Sequence, residues 1–406
     1  MRERTPGHWQ IRAFAGPDRI TGKPRQVSRT VVGGQRAAAK ALSTLVAEVE
    51  TGRHRATTQR TVGDLLDAWL EIAETSQRPR TFYENRSKVN KKSVLKGGVK
   101  VRGGIRERLG RHRLDRLKAD TIDAAYRQWL AEDLSPATVN KYHAILSAAM
   151  RQAVKWDWID RAPTARATPP RVHPKEMNVP TPEQLTTLVS TAKAQDPVLG
   201  CAIAVAALTG VRRGELVALQ WSDFDLAKKT VRISKSLTVA NGEQHVGATK
   251  THAVRDLALD PVCVKVLRDH KRRMTKLADD AESPLVENPY VLSYSANGAL
   301  PVNPDTLTHH FAALCRKLEE PALARLRRTT PNATRADLVP AKRFHFRFHD
   351  LRHFSVTTLI AAGVDVRTVA NRHGHAKTTM TLDRYAHALP ERDRAAAGIL
   401  GKSLNW

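Results

Sequence analysis

The stretch Leu208-Thr209-Gly210-Val211-Arg212-Arg213-Gly214-Glu215-Leu216-Val217 decides how the rest of the chain is read. It follows an apolar run, Pro197–Thr209, that reads as a helix, and it sets Arg212 just after a glycine at the start of a second helix. Glu215 lies three residues on and so shares a helical face with Arg212. That spacing lets the carboxylate orient the guanidinium while its fork points at an anion, and arginine is the side chain suited to bidentate phosphate binding. Read alone, the pair is better taken as an ordinary ion pair on a helix surface. The rest of the sequence has to choose.

Working outward, Phe348-His349-Asp350-Leu351-Arg352-His353 places His349, Arg352 and His353 on one helical face. Two histidines four apart can bind zinc. The metalloprotease pattern, however, needs Glu beside the first His, where Asp350 stands, and no third ligand is apparent. No metal is assigned. Further on, Val369 leads to His373-Gly374-His375, and Tyr385 follows ten residues later. Tyr126 and Tyr142 fall in helical patterns, and Tyr290 and Tyr294 in a strand-like piece. Tyr385 instead follows a polar turn with Thr378, Thr379 and Thr381. Between the two arginine motifs, Val231–Leu237 and Arg255–Leu259 read as strands flanking a turn at Asn241-Gly242.

Each piece is weak alone, but the order is specific. Thr209-Gly210-x-Arg212-x-x-Glu215, then Lys250 in Thr249-Lys250-Thr251 with Arg255 beyond it, then His349-x-x-Arg352-His353, Gly374-His375 and Tyr385 resemble the tyrosine recombinases of the phage integrase family. The likeness is to the type carried by actinobacterial phages and mobile elements. It implies a multidomain fold, mainly α with small β-sheets: an N-terminal three-stranded sheet plus helix, a helical SAM-like core-binding domain, and a mixed α/β catalytic domain of the tyrosine recombinase/type IB topoisomerase kind. Its implied domains are residues 1–55 for arm-type DNA, 61–160 for the core site with a basic insertion at 85–108, a linker at 161–179, the catalytic domain at 180–390, and a tail at 391–406. The family carries Leu before its Gly-His pair, where this chain has His373.

The resemblance also implies roles. Tyrosine, with a pKa of about 10, is a poor nucleophile without a positive environment and a base. Arg212 and Arg352 would supply that environment while gripping the scissile phosphate. Lys250 would protonate the departing 5′ oxygen, His349 would act as general base or acid, His375 would hydrogen-bond a phosphate oxygen, and Tyr385 would attack. Glu215 would orient Arg212, and His353 would pack within the domain. No cofactor, metal or ATP is implied, because arginines and histidines can do the electrostatic work of a divalent ion. The expected partner is double-stranded DNA at core and arm sites, with a homotetramer on the DNA and room for a host DNA-bending protein and a directionality factor. A Xer-like resolvase or transposon recombinase is the alternative, then a type IB topoisomerase-like enzyme or a DNA-binding regulator without catalysis. The N-terminal sheet and helix argue for an integrase.

The outer regions agree in charge. Of 406 residues, 67 are Lys or Arg and 40 are Asp or Glu, a net charge of +27, which predicts a polyanionic partner. The surplus is larger over residues 1–178 than over 179–406. Arg12, Arg25 and Arg29 sit in the strand-like runs Trp9–Phe14 and Val27–Val32 or the turn between them, and are read as one basic sheet face for a DNA groove. Lys91, Lys92, Lys96, Lys100 and Arg102 lie in a glycine-punctuated stretch, 85–116, read as a loop or hairpin that touches phosphates. Thr61 is expected to cap a helix with Asp64 in an imperfect capping box, and further helices are expected at Ala119–Leu130 and Pro136–Trp156. The linker, rich in proline and basic residues, is the clearest boundary. No apolar stretch has the length of a membrane span, the first residues lack the apolar core of a secretory signal, and Cys201, Cys263 and Cys315 are widely separated. A reduced, cytoplasmic protein is expected.

Overall fold

The computed structural model describes residues 1–17, 24–50, 59–96, 99–101, 103–172, 177–249, 254–330 and 343–374. The chain divides into two units, Met1–Pro174 and Lys175–Trp406.

The first unit opens with β1 (Arg2–Thr5), β2 (His8–Pro17) and β3 (Pro24–Val32), an antiparallel sheet in chain order, followed by α1 (Gln35–Glu50). Alternation in the strands sends Trp9, Ile11 and Ala13, with Val27 and Val31, onto Ala38, Leu42 and Leu45 of α1. The register corrects the reading of a single basic face. Ile11 lies opposite Arg29 and Arg12 opposite Ser28. Residues directly opposite share a face, so Arg29 is on the helix side, where it pairs with Glu48 of α1 at 3.0 Å. Arg12 is on the other side, with Gln10 and the exposed Phe14. Arg4 joins that open face through hydrogen bonds of 3.0 and 2.7 Å to Gln10.

Five helices follow: α2 (Val62–Ser76), α3 (Pro79–Asn90), α4 (Ile105–Leu109), α5 (Ala119–Ala131) and α6 (Pro136–Lys155). The Thr61–Asp64 capping box is complete: Thr61 N donates to Asp64 Oδ2 at 2.7 Å and Asp64 N to Thr61 Oγ1 at 3.2 Å. Leu65, Leu66, Trp69, Phe82, Ile122, Trp129, Leu146 and Met150 make the core. The 85–116 stretch is less loop-like than its composition suggests. Helix α3 continues to Asn90, a hairpin follows of β4 (Val94–Lys96) and β5 (Val99–Val101), and α4 buries Ile105 and Leu109. Gly104 and one arginine of this stretch serve packing. A Cβ on Gly104 would stand 2.2 Å from the Lys88 carbonyl oxygen. Arg106 is spent on Asp67, with bonds of 2.9 and 2.5 Å. Lys91 and Lys92 are exposed just before the hairpin, Lys96 and Lys100 belong to its strands, and Arg102 is outside the described residues.

The second unit packs α7 (Pro182–Gln195) on α8 (Pro197–Thr209), whose middle is buried on every side. After α9 (Arg213–Val217) come β6 (Phe224–Asp225), β7 (Thr230–Ile233), β8 (Lys235–Ala240), β9 (Glu243–Ala248) and β10 (Arg255–Ala258). The expected strand over Val231–Leu237 is in fact two. Its first half, β7, is the centre of a sheet with β6 and β10, and its second half begins the β8–β9 hairpin. Asn241 and Gly242 turn that hairpin with φ of 52° and 84°, as a type I′ turn requires. Strand β9 escapes sequence reading because Glu-Gln-His-Val-Gly-Ala is mostly exposed and carries no apolar alternation. Tyr290 makes only an isolated bridge to Gln220 rather than belonging to a strand. Helices α10 (Pro261–Asp280), α11 (Pro304–Thr329), α12 (Asp350–Ala361) and α13 (Val366–His373) complete the described part. Ala202, Ile203, Val205, Leu267, Phe311 and Leu351 are among its core residues. Among the described residues no helix is long and apolar enough to cross a membrane.

Candidate active site

Helix α8 ends at Gly210, which adopts the left-handed conformation (φ 66°) that glycine alone enters without strain. A side chain is also excluded by space: a Cβ there would stand 2.2 Å from His373 Nε2 and 3.0 Å from Ser355 Oγ. The sharp turn brings Arg212 in extended conformation to the start of α9. Glu215 reaches back to it, accepting from the Arg212 backbone N–H at 3.0 Å and from Nη1 at 2.8 Å. The local reading of the 208–217 stretch is therefore right about the pair and incomplete about its surroundings.

Glu215 is 1% exposed and takes a second guanidinium, Arg255 of β10, at 2.6 and 3.3 Å. Burial by itself would raise the Glu215 pKa. The hydrogen bond and charge of Arg255, then the N–H and charge of Arg212, outweigh it and hold the carboxyl below the ordinary range. A buried carboxylate shared by two arginines fixes both. Sequence reading quoted Arg255 only as part of a strand pattern. Forty residues separate it from Glu215, so no local spacing reveals the contact.

Arg352, in the first turn of α12, is buried and donates to Gly210 O at 2.6 Å and to His373 O at 2.5 Å. Arg212 Nη2 donates to Gly374 O at 2.5 Å, and Arg255 Nε to Arg372 O at 3.0 Å. Three arginines from three elements thus meet three successive carbonyls, 372, 373 and 374, at the end of α13. The last carbonyls of a helix have no partner within it and carry the negative end of its dipole, so they are natural acceptors for cations. Gly374 closes the helix with φ 62°, and a Cβ on it would crowd Arg255 at 3.0 Å and Arg212 at 3.3 Å.

His349 stands at the N-terminal end of α12, open to solvent on one side, with its ring 4.9 Å from that of buried His353. Desolvation on the walled side, then the charges of His353 and Arg352, push its imidazole down to about 4. It is a neutral ring at pH 7. Asp350, which took the place of the glutamate in the zinc pattern, is fully engaged by Arg347 through its backbone N–H at 2.7 Å and a guanidinium bond of 2.8 Å. Among the described residues no group of three or more His, Cys, Asp or Glu could hold a metal ion.

His373 is fully buried: its Nδ1 is 2.8 Å from Val369 O and its Nε2 is 3.2 Å from Ser355 Oγ. Its ring points into the protein while its carbonyl receives Arg352. The structure so brings together Arg212, Glu215, Arg352, His349 and His353, and adds Arg255, Ser355 and His373. Lys250, His375 and Tyr385 lie outside the described residues.

The chain is similar to known proteins in sequence and fold. Residues 178–392 match the family model described as the phage integrase family. The ICEBs1 integrase of Bacillus subtilis strain 168 is 25% identical over 396 residues, covering 97% of each chain. Among solved structures, the Tn1549 transposon integrase in complex with a circular intermediate DNA superposes with a TM-score of 0.62 at 20% identity, over 84% of this chain and 99% of that one. A lambda integrase tetramer bound to a Holliday junction gives 0.54 at 18% identity, over 95% and 96%. At these identities the two structures speak to the fold.

Proposed function

The chain belongs to the phage integrase family, and from that premise we propose how it cuts and rejoins DNA. It is a site-specific recombinase that integrates or excises a mobile element through a 3′-phosphotyrosyl intermediate. The observation that carries this reading is the pinning of Arg212 and Arg352 on the carbonyls of Gly374 and His373, immediately before His375. Two guanidiniums held at fixed positions beside each other are what a phosphoryl group needs as negative charge builds on its non-bridging oxygens. Glu215 and Arg255 keep the first of them from swinging.

Tyr385 attacks the scissile phosphorus, forming a phosphotyrosine bond while the bond to the 5′ oxygen breaks. Lys250 delivers the proton that the 5′ oxygen takes up. His349, neutral above about pH 4, can accept the phenolic proton, and His375 hydrogen-bonds a phosphate oxygen. The phosphodiester energy is conserved in the covalent bond, so a second 5′ hydroxyl can attack it and exchange strands without ATP.

DNA is the substrate and partner. Among the solved relatives, one holds a circular intermediate and another is a tetramer on a Holliday junction. We extend this to a homotetramer that works in the cytoplasm, on the host nucleoid. The residues 1–55 are assigned to arm-type sites, 61–160 to the core site and 180–390 to catalysis, with 161–179 as linker and 391–406 as tail. Arm binding uses the open sheet face with Arg12 and Phe14, and Lys91 and Lys92 serve the core site. A host bending protein and a directionality factor fit an enzyme that bridges two site classes. The test is covalent capture on a nicked suicide substrate carrying the core site. Wild-type protein should trap DNA, and Tyr385→Phe should bind it without trapping. An adduct formed by Tyr385→Phe would reject the assignment.

A further inference from the structure

His373 occupies the place where the resembled family carries Leu, and its ring is not presented to the outside. We infer that His373, together with Ser355, is a positioning residue that sets the Arg352 guanidinium. The inference rests on the recombinase reading above and deepens it.

The geometry carries the argument. Arg352 is held by two carbonyls, Gly210 O at 2.6 Å and His373 O at 2.5 Å. His373 governs both. Its own carbonyl is one of them. Its ring lies against the Gly210 turn, close enough that only a hydrogen fits on Gly210. The ring is itself fixed at both nitrogens. Val369 O can only accept, so Nδ1 carries the proton toward it at 2.8 Å. In the neutral ring Nε2 is then an acceptor, and it receives the Ser355 hydroxyl at 3.2 Å. Ser355 sits three residues after Arg352 on α12, and both are buried. A closed circuit results: α12 supplies Arg352 and Ser355, α13 supplies His373 and its carbonyl, and the α8 terminus supplies Gly210. The end of α13, the end of α8 and the start of α12 cannot shift relative to one another without breaking a member of it. A leucine would fill the space but would leave the Ser355 hydroxyl without this partner and α12 and α13 without this side-chain tie.

The experiment compares full-length wild type with Ser355→Ala, Ser355→Thr and His373→Leu. The readouts are single-turnover formation of the covalent adduct and DNA affinity. The substrate is a core-site duplex with a bridging sulfur at the 5′ position, whose easier departure keeps slow variants measurable. Small misplacements of a catalytic group cost up to about 100-fold. Ser355→Ala and His373→Leu should each slow capture by roughly 5–20-fold at unchanged DNA affinity. Ser355→Thr, which restores the hydroxyl, should recover most of the rate. The deciding arm is Arg352→Lys: in that background neither change should slow capture more than about 2-fold, because the residue they act through has lost its fork. Wild-type rates for Ser355→Ala and His373→Leu, full additive losses in the Arg352→Lys background, or a parallel loss of DNA affinity would each overturn the inference. If wild type itself captured no DNA, the functional reading would fail instead.

Discussion

The open face of the N-terminal sheet and the end of α13 use arginine in opposite ways. On the sheet, Arg4 and Arg12 gather around Gln10 in solvent, and Arg29 on the reverse side is tied to Glu48. At α13, Arg212, Arg255 and Arg352 are wholly or largely withdrawn from water and bonded to successive carbonyls, two of them also to Glu215. Exposed arginines contribute charge: each neutralises about one phosphate, with a strong dependence on salt and little on position. Buried arginines contribute geometry, because a desolvated guanidinium is stable only where every partner is in place. Under the proposed function, the same residue type would grip DNA in one region and shape the reacting phosphate in the other.

That contrast can be broken in steps. The largest effect should follow Arg352→Ala. Capture on the suicide substrate should fall by roughly 100–1000-fold, as when a charge-stabilising donor is removed, with core-site affinity changed little in a mobility-shift titration. Next comes Glu215→Gln, which leaves two buried guanidiniums with a neutral partner. Denaturant melts should show a loss of about 3 kcal/mol. Because the Glu215 carboxyl is held below its ordinary value of 4.5, its contribution is present above that pH and is lost as pH falls further.

The His349 ring makes a smaller, differently placed contribution. Its folded value of about 4 lies below the ordinary 6.5, so the unfolded chain takes up the proton first as pH drops. Thermal stability should decline from pH 6.5 toward 4, and His349→Asn should flatten that decline. The smallest effects belong to the sheet. Arg12→Ala should reduce the salt slope of arm-site binding by about one and leave core-site cleavage untouched. Arg29→Ala should do less, since its guanidinium is turned to Glu48. Equal losses for the two would contradict the register of β2 and β3.

How much of this was legible beforehand varies by element. Caps were readable because they are local: Thr61 with Asp64, and Ser135 just before Pro136, whose Oγ accepts from Thr138 N at 3.2 Å. So was the Arg212–Glu215 pair, three residues apart on one helix start. The face of Arg29 was not, since it depends on which residue of β2 it meets. Strand β9 was not, because an exposed hairpin arm needs no apolar alternation. In the 85–116 stretch the expected hairpin is present, but the packing of α4 beside it was not legible, because the close approach at Gly104 joins it to the end of α3.

The sequence by itself determined the chemistry available: an ordered set of arginines, histidines, a lysine and a tyrosine, and a basic surplus for a polyanion. These follow from residue type and short spacing. Only the tertiary structure decided that Arg255 completes the Glu215 site, that His373 faces inward, and that residues 372, 373 and 374 each receive an arginine from a different element. Those contacts join residues 21 to 162 positions apart. Unpaired carbonyls at a helix end attract whatever cation the fold delivers, and which cations arrive is settled only when the core packs.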